Sequence, residues 1–248
     1  MSRIIPLSLI VVLSCFISEV ALSQQMVALE EKEITIKGNR MSAWVTTIES
    51  DIDQAKGDIK RFAKQEYGIR LKEKKSVLIA KEIKMKGITD KKGDVWVNVT
   101  PGVIPGTADA AFAYQLGYDV SLNSTDFPEA MSSMQQAVKE FIRYHYKNYY
   151  KNQIEEKEDR LKLLNKRAKK IEKEIKENEK LIKKSNKVVK KSGKREEVFD
   201  AEQTVITSEG KLSSLKVQLQ HVEKEIITAE AELSTAQRHF TTIDKRID

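Results

Sequence analysis

The chain has 248 residues, a net charge of +7 and a single cysteine, Cys15. Its 33% charged residues are high for a compact enzyme, but natural for a chain whose second half is a two-stranded coil that buries only a narrow seam. One cysteine excludes an intramolecular disulfide framework and a cysteine-ligated zinc site.

The amino-terminal segment reads as a signal peptide, residues 1–23. Arg3 precedes an apolar run from Ile4 to Ile17, and Ala21-Leu22-Ser23 supplies small residues before the expected cleavage. The run is too short for a comfortable membrane span. A rival reading is a lipid anchor at Cys15, because Val12-Leu13-Ser14-Cys15 loosely resembles a bacterial lipobox, although Leu13 fits poorly. Cleavage after Ser23 removes Cys15 and leaves no thiolate nucleophile. A cysteine-free, lysine-rich exported chain suggests a bacterial periplasm or cell surface.

Residues 26–150 read as a small α+β domain of order β-α-β-β-β-α, a single mainly antiparallel sheet with helices on one face. Glu33 to Ile36 predicts a short strand. Ser42 is then a helix cap, with Val45, Ile48, Ile52, Ala55, Ile59 and Phe62 as the apolar face of a helix over 42–66. Its acids are assigned to the solvated face. Val77, Ile79, Ile83 and Met85 alternate through the next strand, interrupted at Lys81. Val95, Val97 and Val99 alternate through another, ending at Pro101. The segment to Asp109 is expected to be a loop. Phe112, Tyr114, Leu116, Tyr118, Val120 and Leu122 then alternate without a break. Asn98-Val99-Thr100 and Asn123-Ser124-Thr125 match the glycosylation sequon, and are read as strand and turn.

A helix is predicted from Phe127 to Gly193. Its early apolar residues, Met131 to Ile142, suit packing on the sheet. From Ile154 onward a seven-residue apolar repeat sets in: Ile154, Leu161, Ala168, Ile175, Ile182 and Val189. A second repeat runs through Val205, Leu212, Leu219, Ile226, Leu233, Phe240 and Ile247. Sustained heptads predict coiled coil, and the short polar stretch at 190–200 predicts an antiparallel hairpin over 151–248. Residues 160–195 hold 16 basic and 4 acidic residues, net +12, whereas 196–248 hold 6 and 11, net −5. Opposite signs favour pairing one arm with the other. Paired residue numbers summing to about 390 put Ala168 against Val222 and Leu161 against Ala229, small against large. The same register brings Arg160 to Glu232 and Arg167 to Glu225. Asn178 falls in the seam, where it either fixes register or marks a wetter outer segment.

Two groups stand out as binding candidates. Lys183, Lys184, Lys187, Lys190, Lys191, Lys194 and Arg195 make a cationic hairpin tip suited to an anionic envelope surface or an acidic partner; the alternative is a solvated turn. Tyr144, Tyr146, Tyr149 and Tyr150, interleaved with cations, form an aromatic root that either binds a partner or fills the junction. His145, His221 and His239 are far apart in sequence, and no nucleophile, metal or phosphate-binding motif accompanies them. No cofactor is implied and no catalytic residue is nominated. The expectation is an exported, non-enzymatic structural adaptor of the cell envelope, with an envelope protein or anionic surface as partner and no nucleic acid in vivo. The alternative is a periplasmic small-ligand or glycan-binding module that uses the 101–111 loop or the sheet face and is oligomerised by its coil.

Overall fold

A computed structural model describes residues 28–117 and 120–247. The expected signal peptide and Cys15 lie outside the described residues. The fold is an α+β domain followed by a helical hairpin. The elements are β1 (Leu29–Ile36), β2 (Asn39–Glu49), α1 (Ile52–Tyr67), β3 (Lys72–Lys74), β4 (Val77–Ile83), β5 (Gly93–Pro101), β6 (Thr107–Gly117), β7 (Val120–Ser121), α2 (Pro128–Lys191) and α3 (Arg195–Ile247). They group into two compact units, residues 28–148 with 242–247, and residues 149–241.

The first unit holds one antiparallel sheet of order β1-β2-β6-β5-β4-β3, with β7 paired to β6. Its main departure from expectation lies at residues 42–49, which form β2 and not the start of a helix. Val45, Thr46, Thr47 and Ile48 are four β-branched residues in a row, stiff side chains that crowd a helix and suit a pleat. The helix starts ten residues later. Asp51 caps it, accepting a hydrogen bond from the Gln54 amide at 2.7 Å. Gly68 ends it in the left-handed region, with φ at 68°.

The run expected to continue from Phe112 to Leu122 is divided, with β6 ending at Gly117 and β7 pairing back on it antiparallel. Two further differences have local causes. Strand β6 begins at Thr107 within the expected loop, because Ala108 and Ala110 are fully buried and small enough to lie under the helices. Strand β3 is a three-residue edge, Lys-Glu-Lys, with no apolar residue to announce it. At Lys81 the interruption in alternation is a register shift between Ala80 and Ile83, a bulge on β4.

Both sheet faces are buried. Trp44, Val97 and Phe112 share one face, which α1 and α2 cover. There the Trp44 indole donates to the Met131 carbonyl of α2 at 3.0 Å, and the Phe112 ring lies 5.4 Å from Phe141. On the other face Ile36, Met41, Ala43, Val77, Ile79, Trp96, Ala111 and Ala113 form a second core. Beyond Trp44, β2 leaves β6 and continues with β1 alone as a two-stranded ribbon. Its tip supplies Ile36 to this core, and Lys37 Nζ lies 5.9 Å from the centre of the Trp96 ring.

The second unit is the antiparallel hairpin. Ala168, Ile171, Ile175, Leu215 and Val222 form its central core, flanked by Leu212, Leu219 and Ile226. The Arg160–Glu232 pair at 3.3 Å and the Arg167–Glu225 pair at 3.9 Å match the expected register. Asn178 is buried in the seam and donates to the Glu174 carbonyl of its own helix at 2.7 Å. Its amide is satisfied locally, so this bond places no constraint on the facing arm.

Helix α1 is tied to the sheet edge through Glu73 of β3, which receives Lys56 at 2.9 Å and Lys60 at 2.7 Å. Hydrogen bonds from Lys60 and Lys56 hold its carboxyl down at about 2. A carboxylate with a depressed folded-state pKa stabilises the fold above its unfolded value and loses that contribution as pH falls through the folded one. Replacing Glu73 with Gln should therefore lower the urea midpoint at pH 6, with the gap to wild type closing between pH 4.5 and 2. Urea titrations across that interval check it.

Candidate functional site

The hairpin tip is a built turn. Helix α2 ends at Lys191, and the Ser192 amide donates to the Val188 carbonyl at 2.9 Å. The Ser192 hydroxyl donates to Glu197 at 2.7 Å and accepts from the Lys194 amide at 3.2 Å. Hydrogen bonds from Ser192 and then Lys194 hold the Glu197 carboxyl below the usual carboxylate range. Of the seven tip cations, Lys194 is paired, with Glu197 at 3.0 Å. Lys183, Lys184, Lys187, Lys190, Lys191 and Arg195 are exposed, and among the described residues none is ion-paired. Lys190 and Lys191 also sit in the last turn of α2, where the helix dipole favours positive charge.

The tip is the end of a longer feature that sequence reasoning missed. On the face of α2 turned away from the seam, Lys162, Lys166, Lys169, Lys173, Lys176, Lys180, Lys183, Lys187 and Lys190 follow one another at alternating spacings of four and three, all exposed. That spacing keeps them on one line of an α-helix, about 42 Å long with about 5 Å between neighbours. Like charges at these spacings each destabilise a helix by about 0.2–0.5 kcal/mol. Eight neighbouring pairs therefore impose roughly 2–4 kcal/mol of self-repulsion, partly relieved by the exposed Lys173–Glu177 contact. The signal was available in the heptads: the positions outside the seam carry lysine as regularly as the seam carries apolar residues.

The four tyrosines of the expected aromatic root divide between the units. Tyr144 and Tyr146 belong to the first and Tyr149 and Tyr150 to the second. Tyr144 lies 5.5 Å from Phe62, and Tyr146 packs edge-on against His145 at 5.3 Å. Tyr149 meets Tyr150 at 5.2 Å, and Tyr150 stacks on His239 at the same distance. Tyr146 and Tyr150 are buried, and Tyr144 and Tyr149 are partly so.

A second feature missed in sequence is a buried polar cluster in the first unit. Asp58 is 2% exposed and His145 is 0% exposed. This corrects the assignment of all α1 acids to its solvated face. The His145 Nδ1 lies 2.6 Å from Asp58 Oδ2, and its Nε2 lies 3.4 Å from the Glu49 carbonyl oxygen. Arg61 donates to the other Asp58 oxygen, and the Tyr146 hydroxyl accepts from the Glu49 amide at 3.3 Å. The imidazole thus bridges the end of β2 to α1 and α2. It binds three elements together and is closed to solvent. The visible sign was His145 standing inside the apolar stripe Phe141, Ile142 and Tyr146.

Between the sheet and its two helices lies an apolar cavity of about 60 Å³, lined by Ile59, Phe62, Tyr67, Met134, Val138 and Phe141 among others. None of residues 101–111 lines it. Those residues instead close the β5–β6 hairpin, with Val103 and Ile104 exposed at its turn. Among the described residues no group of three or more His, Cys, Asp or Glu converges on a metal-sized site, and no helix is long and apolar enough to cross a membrane.

Removing one partner of a buried hydrogen bond typically costs about 1–3 kcal/mol, because the polar group left behind is buried without its partner. Asp58→Ala and His145→Ala should each destabilise the protein by about that much, and the double variant by clearly less than the sum. Urea unfolding of the four proteins measures both terms.

No protein-family model, curated protein or solved structure matches the chain.

Proposed function

We propose that the protein is an exported, non-enzymatic adaptor of a bacterial cell envelope, whose coiled-coil arm engages an anionic envelope surface. The observation that carries this reading is the unbroken line of nine lysines on α2, ending in the cationic tip. Parallel alignment of charge along a stiff helix suits an extended anionic surface better than a single acidic site. Binding would also relieve the mutual repulsion of the lysines, so that contact stabilises the arm. The amino-terminal segment, with its basic start and short apolar core, supports an exported setting. In this reading the first unit docks a second envelope component.

A small-ligand or glycan-binding module draws less support. The cavity is small and carbon-lined, whereas a glycan needs convergent polar partners.

Each lysine near an anionic bilayer contributes about 1 kcal/mol. Replacing Lys169, Lys173, Lys176 and Lys180 with Gln should weaken co-sedimentation with phosphatidylglycerol-containing vesicles by about 1,000-fold. Phosphatidylcholine vesicles should not bind either protein, and raising the salt should release the wild type. Equal binding of variant and wild type would remove the lysine line from the mechanism.

A further inference from the structure

The two helices of the arm present opposite outer surfaces. On α3 the most deeply buried line recurs every seventh residue, through Ala201, Ser208, Leu215, Val222, Ala229 and Ala236. The line diametrically opposite, facing solvent, runs Phe199, Gln203, Ile206, Gly210, Ser213, Val217 and Gln220. It carries no charge. The corresponding line on α2 is the lysine series.

Three observations on this surface point the same way. Phe199, Ile206 and Val217 are 59–64% exposed, large apolar side chains with the helix body between them and the seam. Gly210 stands mid-helix, where glycine lowers stability by roughly 0.5–1 kcal/mol relative to alanine. A side chain built there would meet nothing within 4 Å, so among the described residues no neighbour explains a glycine. Its effect is to let another backbone come close to α3 at that point.

We infer that this outer face of α3 is a self-association surface, on which α3 of a second copy packs antiparallel. Charge selects the occupant. A second copy cannot pair through α2, because lysine would face lysine along the whole contact. The central line of α3 is uncharged over 199–220, and a like line is its best complement, which α3 itself provides. In an antiparallel pairing whose residue numbers sum to about 423, Ile206 of each copy meets Val217 of the other and Gly210 meets Ser213. On the flanks of that register Glu209 lies beside Lys216 of the second copy and Asp200 beside His221, against one like-charge pair, Glu202 with Glu223, while Phe199 at the end of the line meets Lys224. The resulting four-helix arm carries the lysine lines on its two outer sides. The inference is independent of what those lysines bind.

Sedimentation equilibrium of the full chain should give twice the monomer mass at tens of micromolar protein. The Ile206→Glu/Val217→Glu double variant should give the monomer mass with an unchanged far-ultraviolet helical signal, since both side chains point away from the intramolecular seam. In a Cys15→Ser background, Ser213→Cys should be captured as a dimer by a short bismaleimide cross-linker, and Lys173→Cys on α2 should not. A monomeric wild type, or a double variant that keeps the dimer mass, overturns the inference. So does capture through position 173 and not 213.

Discussion

The two-stranded seam of the arm is the constraint from which the rest follows. A pair of helices can bury only one line of residues on each, and here small and large residues meet along it, with Ala168 in the same core as Val222. Stability comes from that line and from the ion pairs beside it, Arg160–Glu232 and Arg167–Glu225. Everything on the remaining surface is free to serve something else. The chain uses that freedom asymmetrically, with lysines on α2 and neutral, partly apolar residues on α3. The same asymmetry argues for pairing α2 with α3 in one chain, since α2 would repel itself.

How much was legible in the sequence depended on how periodic each signal was. The heptads extend over so many turns that arm, turn and register could all be read from them, down to the arginine–glutamate contacts. The fold class was legible for a related reason: strand alternation in β4, β5 and β6 is strong. Residues 42–49 misled because Val45, Ile48 and Ile52 happen to fall at helical spacing. The β-branched run Val45 to Ile48 was the stronger local fact, and pairing with both β1 and β6 completed it. Strand β3 had no apolar residue at all, so its pairing with β4 could be seen only in three dimensions.

The buried Asp58–His145 couple shows a different limit. Its members are 87 residues apart, and each looks ordinary in its own helix. What makes them a unit is the convergence of α1, α2 and the end of β2. The couple serves cohesion: its ring nitrogens lie beside oxygens on two other elements, and both of its members are almost fully buried. The lysine line, by contrast, needed no tertiary information. It was hidden because attention to a coiled coil goes first to the residues it buries.

The two tryptophans have a consequence of their own. Trp44 donates to Met131, and Trp96 lies in the second core beneath the ribbon tip, its indole N–H buried without an acceptor among the described residues. Both belong to the first unit, and the chain has no others. Tryptophan fluorescence is therefore a signal of the first unit alone, while the circular dichroism sums the helices of both. The chain carries its own pair of optical labels, and melting of the first unit can be followed by itself in an unlabelled sample.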